Sequence, residues 1–118
     1  MGKKQLAIAT AILVGIVAAT SSLWAGLQDF TLKNRTGYQI NYLYVSPQSS
    51  NQWGPDRLGS SQVVANGADA FITINGYPDN VCMFDIKAVD SDGDSYRKVA
   101  NLCQVYDVTF TIGDLVSQ

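Results

Sequence analysis

Three aspartates at alternate positions, in Asp90-Ser91-Asp92-Gly93-Asp94-Ser95, form the sharpest chemical pattern in this chain. Carboxylates spaced this way, with hydroxyls between them, are how an oxygen cage for calcium begins. The pattern is not an EF-hand. That loop needs Gly at its sixth position and a bidentate Glu at its twelfth, whereas here Gly93 is fourth, Asn101 is twelfth and the chain has no Glu. Asp90, Asp92 and Asp94 are therefore weak candidates for metal ligands, and any Ca2+ binding belongs at about 10⁻⁴–10⁻³ M. The favoured reading is a hairpin turn in which Asp92-Gly93 adopts type I′ geometry and the flanking carboxylates stay in water. No other cofactor is expected.

A second constellation lies in Trp53-Gly54-Pro55-Asp56-Arg57-Leu58-Gly59, with Asn51 just before it. A Trp beside Asn51, Asp56 and Arg57 on a long loop can stack on a sugar or anchor a protein partner. In the competing structural reading Trp53 folds back to plug one end of the fold, with Arg57 paired to Asp56 or a backbone carbonyl. A lone aromatic in a long loop more often buries its ring. The segment 46–60 exceeds the usual hairpin connection and is the expected functional surface if there is one. The tyrosines (Tyr38, Tyr42, Tyr44, Tyr77, Tyr96, Tyr106) fit cross-strand packing better than a binding face.

Catalytic options are few. The chain has no His, which removes Ser-His-Asp and Cys-His chemistry and imidazole zinc sites. What remains is an acid–base pair of carboxyls, as in a small glycan hydrolase using Asp56 with Asp85 or Asp94. That chemistry needs a fixed separation and one raised pKa. Asn34-Arg35-Thr36 fits a glycosylation sequon, meaningful only in a eukaryotic secretory pathway.

The residues that carry these patterns follow an export leader. Met1-Gly2-Lys3-Lys4 is a positive start, and Leu6 to Ala19 is an uncharged apolar stretch. Thr20-Ser21-Ser22 then supplies a polar region of small residues, the order of a signal peptide. Cleavage is expected after Ala25, despite Leu23 at −3, with cleavage after Ser21 as the alternative. An uncleaved membrane anchor is the competing reading. The expected organisation is thus a helical signal peptide over residues 1–25 and one domain over 26–118, located in the periplasm or outside the cell. No stable membrane anchor remains after cleavage. Of the eight basic residues, Lys3 and Lys4 lie in the leader, so the domain keeps six against ten Asp, a net charge of −4. A nucleic-acid binder needs a basic footprint to displace counterions, and none is present. Cys82 and Cys103 are an even pair in a small exported domain and read as a disulfide across the core.

The positioning elements are strands. Short alternating segments punctuated by Gly, Pro, Asn and Asp predict about seven strands of a small antiparallel β-sandwich, an all-β fold. Phe30 and Leu32 share one side of the first strand. In the second, Tyr38, Ile40, Tyr42 and Tyr44 share a face opposite Gln39, Asn41, Leu43 and Val45. Gln62 to Ala65 reads as a short strand, with Asn66-Gly67 as a hairpin turn into the strand Ala70 to Asn75. Val81 to Val89 places Cys82, Phe84, Ile86 and Ala88 inward and Asp85 and Lys87 outward. After Ser95 to Val99, the last strand, Gln104 to Ile112, turns Tyr106, Val108, Phe110 and Ile112 inward.

Taken together, Asn34-x-Thr36-Gly37-x-x-Ile40, Leu43-Tyr44-Val45-Ser46-Pro47-x-Ser49 and Trp53-Gly54-x-Asp56-x-Leu58-Gly59 resemble a group of small exported bacterial proteins of uncharacterised function. Phe84-Asp85-Ile86, Asp92-Gly93-Asp94-x-Tyr96 and Asn101-Leu102-Cys103 extend the resemblance over nearly all of the mature chain. The resemblance implies bacterial origin, export and a β-sandwich, and it makes the Trp53 loop and the Asp92 turn part of a shared pattern. It brings no activity. The function expected from the residues is a non-catalytic exported binding module whose partner is a protein or a glycan. The alternatives are the Asp-dependent hydrolase and a purely structural envelope protein.

Overall fold

The computed structural model describes residues 26–117. The leader, with its expected helix and cleavage region, lies outside the described residues. Seven strands follow: β1 (Phe30–Arg35), β2 (Ile40–Pro47), β3 (Asp69–Ile72), β4 (Met83–Asp90), β5 (Ser95–Asn101), β6 (Asp107–Thr111) and, after a 3₁₀ turn at Ile112–Asp114, β7 (Leu115–Ser117). They form a β-sandwich of a three-stranded sheet, order β3-β1-β6, and a four-stranded sheet, order β2-β4-β5-β7. All pairings are antiparallel except β1 with β6, which run parallel with Leu32 opposite Val108.

Alternation builds the core. Phe30 and Leu32 of β1, Val108 and Phe110 of β6, and Phe84, Ile86 and Ala88 of β4 are buried between the sheets with Ile72, Ile74 and Leu102. Each large apolar side chain contributes about 1.5–3 kcal/mol by leaving water. Asn34, fully buried, ties β1 to the segments around it. Its Nδ2 donates to the carbonyls of Tyr38 (2.7 Å) and Val64 (3.0 Å), while its Oδ1 accepts from the Thr36 N–H and hydroxyl. A glycan on that nitrogen is incompatible with this fold, so the sequon is a structural motif.

Several expected faces are corrected. The register of β2 slips between Ile40 and Tyr42, where Ile40 faces Asp90 and Tyr42 faces Val89. This bulge puts Ile40 in the core with Leu43 and Val45, and turns Tyr42 and Tyr44 to the outer side of the sheet. Period-two counting carries no warning of an extra residue. Gln62 to Ala65 is no strand but one bridge, Val64 to Ile40. The turn at Asn66-Gly67 therefore crosses from one sheet to the other instead of closing a hairpin. In the last strand Val108 and Phe110 do point inward, but Tyr106 (85 % exposed) and Ile112 lie in solvent, because the strand spans only Asp107–Thr111 and both fall outside it.

The disulfide Cys82–Cys103 is present, with Cα atoms 5.1 Å apart. It does not cross the core. Met83 pairs with Asn101, so the bond staples the open end of the β4–β5 hairpin, opposite the turn at 91–94. Replacing both cysteines by Ser is expected to cost about 2–4 kcal/mol.

Candidate functional site

The segment after β2 is not a free loop. From Pro47 the chain arches over the outer face of the four-stranded sheet, returns, and runs along the edge of β2. Gln48 N–H donates to the Met83 carbonyl (3.0 Å) and Ser49 N–H to Asp85 Oδ2 (3.0 Å). The buried Ser46 hydroxyl meets that of Ser50 (2.8 Å) and accepts from Gln52 N–H (3.0 Å). Ser49 and Asn51 take the left-handed region, φ 64° and 54°, which Asn adopts readily and which at Ser49 is held by its N–H bond to Asp85. On the return, Gly54 N–H donates to the Val45 carbonyl (3.2 Å) and Arg57 N–H to that of Leu43 (2.7 Å), while Leu58 enters the core. The edge of β2 is thereby covered, as exposed sheet edges usually are.

This path separates the four candidate residues. Trp53, half-buried, lies over the outer face of the sheet, not at an end of the sandwich. Its ring centroid is 4.9 Å from Lys87 Nζ and 5.1 Å from Arg97 Cζ. Asp56 is a fastener: its Oδ1 accepts from the N–H groups of Leu43 and Leu58, both at 3.0 Å. Among the described residues the Arg57 side chain pairs with neither Asp56 nor a carbonyl. Its guanidinium lies over the Tyr77 ring, 6.0 Å from the centroid, and its buried Nε has no hydrogen-bond partner there. Tyr77 packs edge-on against Phe84 of the core, so Arg57 and Trp53 serve different sides of the sheet. Asn51 is exposed at the bend.

What surrounds Trp53 is a row the candidate list lacked. Tyr44, Lys87 and Arg97 face one another in register across β2, β4 and β5. Lys87 Nζ sits 5.4 Å from the Tyr44 ring as well. Like charges directly opposite on adjacent strands repel, and the rings between them relieve this by cation–π attraction. Tyr42 and Tyr44 stand nearly parallel, 6.4 Å between centroids. Burial first, then the Asp56 carboxylate, pushes the Tyr44 phenol above its ordinary pKa. In the next row, Asp85 does face outward as expected, but the loop covers it. Its Oδ2 accepts from Ser49 N–H and lies 3.7 Å from Arg97. Val99 (52 % exposed) and Met83 complete the face. Lys87 and Arg97 were legible as a cross-strand pair by counting outward from the Asp90–Asp94 turn; the register that sets Tyr44 beside them was not.

The aspartate turn differs from a type I′ hairpin. Gly93 alone has positive φ (88°), and its N–H donates to the Asp90 carbonyl (3.0 Å), a type I turn closed by a glycine bulge. Asp90 is not in water but buried. Its Oδ1 accepts from the N–H groups of Asp92 (2.9 Å) and Asp94 (3.0 Å), and its Oδ2 from the Tyr96 hydroxyl (2.8 Å). Burial, with that bond second, pushes the Tyr96 phenol up to about 12. The three carboxylates do converge, with an oxygen of each within 4.8 Å of the others. However, Asp90 has one lone pair left for an ion, which favours the turn reading.

The geometry defines an all-β sandwich with one aromatic and cationic outer face and no enclosed cavity among the described residues. No family model, curated protein or solved structure matches the chain.

Proposed function

We propose that this protein is a non-catalytic binding module exported to the periplasm or the medium, and that it docks a protein partner on the outer face of its four-stranded sheet. One observation carries the reading: Trp53, Tyr42, Tyr44 and Arg97 converge on a single face beside exposed Val99 and Met83. Trp, Tyr and Arg dominate binding energy at protein interfaces, and Met is enriched there. The disulfide is consistent with an oxidising compartment. Against the hydrolase, Asp56 and Asp85 are both held in backbone hydrogen bonds that build the loop.

The test is site-specific photo-crosslinking in envelope extract, with the probe at Tyr42 and a control at Phe71 on the opposite sheet. A discrete protein adduct from Tyr42, absent from Phe71 and lost in a folded Trp53→Ala variant, supports the proposal. Equal labelling from both positions, or none from Tyr42, overturns it. Retention on immobilised envelope glycan that disappears with Trp53→Ala, without a protein adduct, replaces it with the glycan reading.

A further inference from the structure

The start of the described chain carries a group that the binding face does not use. Asp29, just before β1, is buried, and both of its carboxylate oxygens are taken. Oδ1 accepts from Ile74 N–H at 2.7 Å and Oδ2 from Gly26 N–H at 2.6 Å. Among the described residues no Lys or Arg lies within ion-pair distance of it. A buried carboxylate without a cation is costly unless charge or hydrogen bonds compensate it. Here two neutral amides do so, one of them on the first residue expected after the leader.

We infer that the chain is cut between Ala25 and Gly26, and that the α-ammonium freed on Gly26 forms an ion pair with Asp29 that locks the amino end of the mature domain. Cleavage hydrolyses the Ala25–Gly26 peptide bond. Water supplies the hydroxyl to the Ala25 carboxylate and the proton that makes the Gly26 nitrogen an amine, protonated at neutral pH. A nitrogen already 2.6 Å from Oδ2 then offers three donors and a full charge instead of one amide N–H, and charge-assisted hydrogen bonds are about twice as strong as neutral ones.

Two features support a mature chain that starts at Gly26. A Cβ on residue 26 would lie 3.3 and 3.4 Å from the Asp29 oxygens, so glycine lets the terminus approach the carboxylate. Two residues on, Gln28 is already built into the fold: its buried Nε2 donates to the carbonyls of Pro78 (3.0 Å) and Val81 (2.9 Å). A cut after Ser21 would leave an amide at Gly26 and no charge.

The inference rests on the exported reading, and the experiment separates their failures. Three purified chains are compared: one starting at Gly26 with a free amine, the same chain Nα-acetylated, and one starting at Ser22. The free-amine chain is expected to melt about 4–8 °C above both others. Asp29→Asn is expected to erase the difference between amine and acetyl forms; should that variant not fold, the wild-type comparison decides alone. Equal melting of the three chains overturns the ion pair whatever the cell does. The terminus of the protein recovered from its host decides the cut. Gly26 supports it, Ser22 overturns it, and a chain retaining Lys3 and Lys4 overturns both the cut and export.

Discussion

The two outward faces of this sandwich carry two cations each and use them differently. On the three-stranded sheet Lys33 and Arg35 each meet a carboxylate, Asp107 at 3.6 Å and Asp69 at 2.9 Å. Both pairs are well exposed, with threonines and a lone Phe71 between them, and they leave no charge to spare. On the four-stranded sheet Lys87 and Arg97 are set directly opposite each other. Asp85 serves only Arg97, and the rest of the compensation comes from the rings of Trp53 and Tyr44. Water can solvate the first arrangement without help from a partner. The second keeps half-buried aromatics and cations together where ordinary solubility does not require them. Such a face marks the candidate interface more specifically than the length of the loop above it does.

The comparison breaks most readily at Asp85. Removing its carboxylate leaves the Ser49 N–H without its acceptor under the loop and Arg97 without its counter-charge. The bond to Ser49 is only partly buried. Losing a hydrogen bond to a charged group costs about 1.5–3 kcal/mol where it is shielded and less where water enters, so Asp85→Ala is expected to lower stability by about 1–2 kcal/mol in chemical unfolding. The matching change on the other face, Asp69→Ala, should cost less than about 1 kcal/mol. Equal losses would show that the loop clasp contributes no more than a surface pair.

A second contrast separates the two aromatics. Trp53 is half-buried against two cations, whereas Phe71 is 58 % exposed. Trp53→Ala should cost about 1–2 kcal/mol, from lost ring area and cation–π contact. Phe71→Ala should stay within about 0.5 kcal/mol, as surface changes usually do. If Trp53→Ala removes stability and leaves partner affinity untouched, the indole is a structural cover and the interface proposal loses its anchor.

Most of the architecture was legible in the sequence, because alternation is local. Phe30 and Leu32, Phe84, Ile86 and Ala88, and Val108 and Phe110 all face inward as their spacing predicts, and Cys82 joins Cys103. The misreadings arose where one residue breaks the period or a distant segment intervenes. The bulge at the start of β2 separates Ile40 from the face it was expected to share with Tyr42 and Tyr44. The arching loop buries Asp85, which alternation correctly pointed outward, and Tyr96 draws Asp90 out of water across the hairpin. The same limit applies to the site. Trp53 was identifiable by type, but its neighbours are fixed by strand register, not by proximity in sequence, so nothing near it in the chain pointed to Arg97. Parallel pairing of the first and last strands of one sheet leaves no mark on either strand's composition.

The smallest effect tests the quiet face. Arg35 and Asp69 form the shortest ion pair in the described residues, at 2.9 Å, yet both side chains are over 40 % exposed. Exposed pairs yield little because water competes for both partners and two long side chains lose rotamer freedom when held together. A double-mutant cycle on Arg35→Ala and Asp69→Ala should give a coupling of about 0.2–1 kcal/mol. Repeating it in 1 M salt, where the Debye length falls to about 3 Å, should remove most of that. A cycle on Lys87→Ala and Trp53→Ala should change far less with salt, because the ring has no net charge to screen and the contact is partly shielded from solvent. The two cycles therefore distinguish the faces by mechanism and not only by size. If the Lys87–Trp53 coupling collapses with salt as the Arg35–Asp69 coupling does, Trp53 has no special hold on the cations beneath it. The two faces are then equivalent solvated surfaces.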